Sequence, residues 1–581
     1  MRRAALVCGT AALLATTAAP GVAQAETCRQ RIAIECPRVI VPLDRTGAVK
    51  GKVRLYVERL GEDARKSRAL LVLAGGPGQA ATPLVPALAP PLSKVLNDRD
   101  IVFFDQRGTG RSGALRCRAA LRRKAEARRL AACARHLGPG RDSYASADSV
   151  ADIEDVRRAL GIERMVLYGT SYGTKVALEY AAAHPEHVEG LVLDSVVREG
   201  PRDPSERASI TALPRVLREL CASGGCRGLG EDPWRGLGRL ERRLARSPLR
   251  ARHTAGSGRP IFTRVPPGSA VSLYLTSDFS PSSRAEAASL IAAANRGDLA
   301  PLTRLLSRLG MLSTYSFARD PLFVATTCAD TALPWKRGST AAQRRAAGLR
   351  AIGRASLGGL PPESLKTFGV LDVCASWPAP VRAPLAVNVP DVPALVLGGT
   401  ADLRTPIEDA RAVVRRLPRS RLLVLRGAGH GVLGNTLTDC PGRALLKFLR
   451  GRQTKTNCAA KPPIAPYPRV PATLAGVKPL PGVPGLAGRV AAAALETARD
   501  VRRDSWLAGR HAGGLRGGWY RNGYRQQLHN VEVVRGVRVS GTVSAAGYWL
   551  RVSGPGISGR ISAQRRVRGV LGGVRIRAHK R

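Results

Sequence analysis

Gly169-Thr-Ser-Tyr-Gly173 is a G-x-S-x-G pentapeptide, a spacing in which a serine hydroxyl can act as a nucleophile. Its flanks suit that chemistry. The apolar run Met165 to Tyr168 predicts a buried strand, and Val176, Ala177, Tyr180 and Ala181 follow at helical spacing. Strand, tight turn and helix make a nucleophile elbow with Ser171 at its tip. The two glycines remove side chains that would collide with the adjoining strand and helix. The helix N-terminus behind Ser171 favours developing negative charge. The pentapeptide is weak on its own, because a chain with 62 glycines contains such spacings by chance.

A serine hydroxyl near neutral pH needs a base, and the base needs an orienting acid. Of the eight histidines, His430 is the one in a Gly-flanked loop just past an apolar run, Arg421 to Leu425, downstream of the elbow. Asp402 occupies the corresponding loop after the preceding run, Ala394 to Leu397. Ser171, Asp402 and His430 are therefore the expected triad for acyl transfer. Asp105 and Asp194 are rival acids, but both precede the expected position. The oxyanion needs backbone donors. The Tyr172 amide should supply one and the loop Gly75-Gly76 the other. No Cys/His cluster has zinc spacing, so neither metal nor cofactor is expected.

These loops have to be brought to one sheet edge. Ala69 to Leu73 and Ile101 to Phe104 are continuous apolar runs, as buried parallel strands require. Val39 to Leu43 and Lys52 to Leu60 precede them as a predicted antiparallel pair, the second alternating polar and apolar like an exposed strand. Ser146 to Leu160 predicts a helix, and Gly190 to Asp194 another strand. Strands alternating with helices mean a wound α/β sheet whose carboxyl edge carries the site. Between Val197 and Val387 the strand signal fades, and that segment reads as a helical insertion over the sheet.

Met1-Arg-Arg3, an apolar run to Ala19 and Ala23-Gln-Ala25 predict a signal peptide cleaved after Ala25 and a secreted product. Val7 is not the small residue that a lipidated Cys8 would need. Losing Cys8 leaves ten cysteines. An even number in an exported chain favours disulfides, expected as Cys28–Cys36, Cys117–Cys133, Cys221–Cys226, Cys328–Cys374 and Cys440–Cys458. No later stretch is apolar enough to span a membrane. The formal net charge is +49, almost all of it arginine spread along the chain. No nucleic-acid module accompanies it, so no nucleic-acid partner is expected. An anionic cell wall is a candidate partner for the basic C-terminal region, which also carries Trp519, Tyr520, Tyr524, Tyr548 and Trp549.

The motifs together resemble the proline iminopeptidase and tripeptidyl aminopeptidase branch of the α/β-hydrolases, serine exopeptidases with a TAP-like C-terminal segment. The resemblance rests on Gly75-Gly-Pro-Gly78, Asp105-Gln-Arg-Gly-Thr-Gly-Arg-Ser112, Gly169 to Gly173, Asp402 before Thr405-Pro406, and Gly429-His-Gly431 followed by Cys440. It covers roughly Val39 to Cys458, and DQRGTGRS is its most specific part. The family usually has His or another polar residue ahead of the two glycines, where this chain has Ala74. The resemblance places Cys328-Ala-Asp330 and Cys374-Ala-Ser-Trp-Pro378 in the cap, in keeping with a 328–374 bridge. It also implies cap carboxylates that hold a free substrate amine. Asp278, Glu286, Asp320 and Asp330 are candidates, with Asp330 preferred for its place in Cys-x-Asp.

The expected architecture is an α/β-hydrolase sheet with a helical cap insertion and a small C-terminal β-rich domain. The segments are a signal peptide (1–25), first core part (26–196), cap (197–387), second core part (388–460), Pro-rich linker (461–486) and basic β-rich domain (487–581). The expected function is a secreted serine exopeptidase acting on a peptide or small acyl substrate. Two alternatives are a carboxylesterase of small acyl esters and a non-catalytic binding protein attached to the cell wall.

Overall fold

The continuous apolar runs form the centre of one mixed sheet in the computed structural model. It describes residues 22–23, 35–61, 67–92, 99–117, 126–279, 281–312, 320–336, 338–354, 358–366, 370–377, 387–388, 391–434, 439–454, 458 and 464–579. The sheet holds β1 (Val22–Ala23), β2 (Arg38–Pro42), β3 (Lys52–Leu60), β4 (Arg68–Leu73), β5 (Asp100–Phe104), β6 (Arg164–Thr170), β7 (Val188–Asp194), β10 (Ala394–Gly399) and β11 (Ser420–Leu425). The strand order is β1-β2-β3-β5-β4-β6-β7-β10-β11. β1 to β3 and the β3–β5 pair are antiparallel, and every pairing from β5 to β11 is parallel. The parallel strands therefore end on one edge. That edge receives Gly75, Asp105, Ser171, Asp194, Asp402 and His430. The remainder of the expected leader lies outside the described residues.

Alternate side chains of each strand feed two apolar layers. Leu71, Leu73, Leu167 and Leu191 pack under the helices Ser146–Ala159 and Tyr172–Ala183, with Ile153, Val176 and Tyr180. Leu70, Val72, Phe103, Val166 and Leu397 face Val85, Leu445 and Leu449 on the other side. Each such side chain contributes roughly 1.5–3 kcal/mol on burial. β3 departs from its alternating pattern: from Leu55 onward it is buried on both faces, because it lies inside the sheet between β2 and β5.

The insertion after β7 has a core of its own, built from Leu213, Leu217, Leu240, Tyr274, Ile291 and Leu306. It is mainly helical, but it also contains a hairpin, β8 (Leu249–Thr254) and β9 (Pro260–Val265), where only helices and loops were expected. Beyond residue 464 the proline-rich stretch does not act as a free spacer. The Ile464 amide donates to the Ser223 carbonyl of the cap at 2.7 Å, and Ile464 and Tyr467 pack on the cap core.

The C-terminal unit lays the helix Gly485–Asp504 across an eight-stranded antiparallel meander. Its strands are β12 (His511–Gly513), β13 (Gly517–Arg521), β14 (Gln526–Glu532), β15 (Arg538–Val543), β16 (Tyr548–Gly554), β17 (Ile557–Ala563), β18 (Arg566–Leu571) and β19 (Val574–His579). The unit docks on the cap through ion pairs: Arg304–Asp500 at 2.5 Å, Arg308–Asp504 at 2.9 Å and Arg516–Asp298 at 2.7 Å. Cys117–Cys133, Cys221–Cys226, Cys328–Cys374 and Cys440–Cys458 are bonded. Cys28 lies outside the described residues, and the expected Cys28–Cys36 bond with it.

Candidate active site

Ser171 stands between β6 and the helix Tyr172–Ala183 with φ 56° and ψ −122°, a conformation that costs a non-glycine residue energy and persists only where its surroundings impose it. The glycines around it are required sterically. A Cβ on Gly169 would come 2.5 Å from the Gly173 carbonyl oxygen, and one on Gly173 would come 2.4 Å from the Leu73 oxygen. The turn is pinned by the Ser171 amide donating to the Asp194 carbonyl at 2.9 Å and by the Thr174 hydroxyl donating to the Ser171 carbonyl at 2.6 Å. Gly75 lies alongside, where its Cβ would be 3.0 Å from that of Ser171. Gly76 has φ 109°. The loop of these glycines and the amide of Tyr172 thus flank the serine. Ala74 is buried, and its carbonyl accepts a long bond of 3.4 Å from Gln106 Nε2.

Asp402 and His430 leave β10 and β11 and meet. His430 Nδ1 lies 3.0 Å from Asp402 Oδ2 and 3.2 Å from Oδ1. Asp402 Oδ1 also accepts the amides of Arg404 and Thr405, each at 2.9 Å, and Oδ2 accepts the Thr405 hydroxyl at 2.7 Å. Burial opposes ionisation of Asp402. The imidazole and the hydrogen bonds outweigh it and hold the carboxyl well below the usual carboxylate range. Burial likewise opposes the imidazolium of His430, but Asp402, helped by Asp278, raises its pKa above the ordinary histidine value.

Asp194 and Asp105 are hydrogen-bonded to other parts of the sheet edge. Asp194 accepts the Val432 and Leu433 amides at 2.7 and 2.8 Å and the Tyr168 hydroxyl at 3.1 Å, which fixes the loop beyond His430. Ser195 adds to this clamp by accepting the Gly431 amide at 2.8 Å. Asp105 accepts the Thr82 and Arg111 amides at 3.0 and 2.9 Å. Arg107 of the same motif is buried against Asp152, at 2.6 and 2.5 Å, and donates to the Leu43 and Ser143 carbonyls. DQRGTGRS is therefore a structural brace joining β5 to the helix Ser146–Ala159.

A cavity of about 1100 Å³ opens above Ser171. The four amine-binding candidates separate around it. Asp320 and Asp330 line it. Both Asp330 oxygens are engaged, by the Ser146 hydroxyl at 3.1 Å and the Tyr172 hydroxyl at 2.9 Å. Asp320 accepts the Phe323 amide on Oδ1, while its Oδ2 would lie 3.1 Å from a Cβ on Gly78 of the glycine loop. Glu286 lines a different cavity, between cap and C-terminal unit. Asp278 lies behind Asp402, where its Oδ2 accepts the Leu403 amide at 2.8 Å. Glu206, Glu408 and Asp409 also line the Ser171 cavity; no motif or spacing marks them in the sequence. The cluster Asp278, Asp402 and His430 is the one group of three metal-capable side chains among the described residues. Backbone amides, Thr405 and Arg284 already occupy its oxygens, so it is a hydrogen-bond network rather than a metal seat.

Residues 68–218 match the family model of the alpha/beta hydrolase fold, and residues 366–459 match that of TAP-like protein. The sheet and these matches give the chain the α/β-hydrolase fold, with a second core segment similar to TAP-like protein. Among curated proteins it is similar to the tripeptidyl aminopeptidase of Streptomyces lividans, 25% identical over 480 residues, which covers 75% of this chain and 85% of that one. It is also similar to the serine protease Hip1 of Mycobacterium tuberculosis, 26% identical over 439 residues, covering 68% and 82%. A proline iminopeptidase of Neisseria meningitidis is 36% identical over 127 residues, covering 22% of this chain and 32% of that one.

Proposed function

We propose that the protein is a secreted serine exopeptidase that releases proline or a short peptide from a free N-terminus. The observation carrying this reading is the His430–Asp402 contact at the sheet edge that also bears Ser171, beneath a cavity lined by cap carboxylates. Similarity to named peptidases supports it.

In the proposed reaction His430 takes the proton of Ser171 as Oγ attacks the scissile carbonyl. Nδ1–H of His430 donates to Asp402, which keeps the tautomer and stabilises the imidazolium. The amide of Tyr172 and the loop Gly75-Gly76 receive the oxyanion. The amine leaves with the proton from His430. Water then attacks the acyl-enzyme, giving its proton to His430, and restores Ser171. Asp320 is the favoured partner for the substrate ammonium. Asp330, with both oxygens already engaged, instead positions Tyr172.

Labelling with a fluorophosphonate probe tests the nucleophile: wild type should react and Ser171→Ala should not. No labelling of wild type would favour the non-catalytic binding protein. Comparable turnover of small acyl esters and poor turnover of free-amine peptides would favour the carboxylesterase.

Four disulfides and the predicted leader support secretion. Association with an anionic cell wall is proposed for the outer face of β15 to β19. There Arg551 stands opposite Arg560, and Arg568 opposite Arg577. Like charges directly across strands repel, and an anionic surface relieves that repulsion. Binding to isolated anionic wall polymer should be strong at low salt and fall steeply with added salt.

A further inference from the structure

The cap reaches into the catalytic network through one short turn, Ser277–Phe279. The Asp278 carbonyl accepts the His430 amide at 3.2 Å. A Cβ on Gly429 would come 1.6 Å from that same oxygen, so glycine is what lets the turn touch the histidine loop. The Asp278 side chain passes to the other loop. Its Oδ2 accepts the amides of Leu403 and Arg404, the two residues after Asp402, at 2.8 and 3.1 Å, and shares the Arg404 amide with Asp402 Oδ1. Its Oδ1 accepts from Arg284 at 2.6 Å, and Arg284 also donates to the Ala401 carbonyl at 2.7 Å. Asp278 and Arg284 are both buried. Asp278, Asp402 and His430 approach within 4.8 Å of one another.

We propose that Asp278 is a positioning residue of the acyl-transfer site: a cap carboxyl within 4.8 Å of Asp402 and His430 that fixes both the acid and histidine loops and sets the charge beside the imidazole. The proposal rests on the reading of Ser171, Asp402 and His430 as the triad. It makes a competent site conditional on a seated cap, since neither loop can supply these contacts itself.

The charge balance around Asp278 gives the direction of the tuning. Facing it are Asp402 and Arg404 from the loop after β10, His430 from the loop after β11, and Arg284 from the helix Pro281–Asn295. Glu219 acts on Arg284 from the helix Arg207–Ala222. Burial, then the charge of Asp402, pushes Asp278 up to about 7 against the attraction of Arg284. Protonated, it donates to Asp402 and adds no charge. Ionised, it adds a negative charge beside the imidazolium and raises the His430 pKa. Two groups that close titrate together, and the pH dependence belongs to the pair.

The test is the pH dependence of the rate at which a fluorophosphonate labels Ser171 in the full chain, for wild type, Asp278→Asn and Asp278→Ala. This readout needs no peptide substrate. An unlabelled wild type sinks the triad reading itself, whereas a labelled wild type leaves the role of Asp278 to the variants. Asp278→Asn keeps the shape and removes the charge. Its acidic limb should move to lower pH by on the order of one unit. Asp278→Ala also takes the acceptor of the Leu403 amide and one of the two acceptors of the Arg404 amide and of Arg284, and labelling should slow by on the order of 100-fold. Two results overturn the proposal. A limb unmoved in Asp278→Asn would separate the two carboxyls. An Asp278→Asn protein that cannot be recovered folded would make Asp278 a packing residue.

Discussion

Nδ1 of His430 lies 3.0 Å from Oδ2 of Asp402, an oxygen that also accepts the Thr405 hydroxyl at 2.7 Å. Asp402 is thus held from its own loop while it faces His430. Asp402→Asn keeps that packing but removes the charge and allows the wrong tautomer. Reactivity of Ser171 should fall by on the order of 10⁴, read as kcat or labelling rate.

The pH dependence has a defined sign. In the proposed role His430 works as a neutral base, and its folded pKa is raised. The acidic limb of kcat/KM should therefore lie above the ordinary histidine value of about 6.5. The His430 contribution to stability is full below that value and is lost as pH rises through the folded pKa. The Asp402 contribution runs the other way: its folded pKa is lowered, so it is present above about 3.9 and lost on acidification. Kinetic and unfolding profiles over pH 3 to about 9 check both.

Gly173→Ala should abolish the elbow. The added carbon would sit 2.4 Å from the Leu73 oxygen and 2.8 Å from that of Ala74. Backbone oxygens cannot swing aside as a side chain can, so the cost should exceed the ~1–3 kcal/mol of ordinary overpacking. Denaturant unfolding against wild type measures it.

Asp320→Asn removes the proposed ammonium partner above the glycine loop. KM for free-amine peptide reporters should rise by roughly 10-fold or more, corresponding to a charge-assisted bond of about 1.5–3 kcal/mol. The fluorophosphonate labelling rate should be nearly unchanged. Equal losses in both would place Asp320 in loop support.

Arg107→Met should destabilise the chain while leaving the chemistry of any folded fraction intact. It takes from fully buried Asp152 its buried partner at 2.5 Å and leaves it Arg45 at 2.6 Å. Because one cation remains, the cost should stay below the roughly 3–5 kcal/mol of breaking a lone buried pair. Chemical denaturation and active-site titration together separate the two effects.

The sheet was legible because its central strands are buried on both faces and so read as unbroken apolar runs, and half-buried β11 at the edge keeps the run Leu422 to Leu425. β4, β5, β6, β7, β10 and β11 each contain the run expected for them, extended by a residue or two at their ends. The order of Ser171, Asp402 and His430 was legible for the same reason, since each follows one of those runs. The cap was not. β8 and β9 are rich in arginine, and their support comes from the C-terminal unit: Arg252 donates to the Arg516 carbonyl at 2.7 Å, and Gly513 abuts the Thr254 carbonyl. Nor did any local spacing mark Asp278, whose partner Leu403 lies 125 positions away. Glu286 reads no differently from Asp320 in sequence, yet the two line different cavities.

The central claim is acyl transfer by Ser171 on peptides with a free N-terminus. Hydrolysis of matched peptide reporters, free and N-acetylated, by wild type and Ser171→Ala tests it most directly. Wild type should cleave the free peptides and leave the acetylated ones, and Ser171→Ala should cleave neither. Equal cleavage of free and acetylated peptides by wild type, or undiminished cleavage by Ser171→Ala, would contradict it.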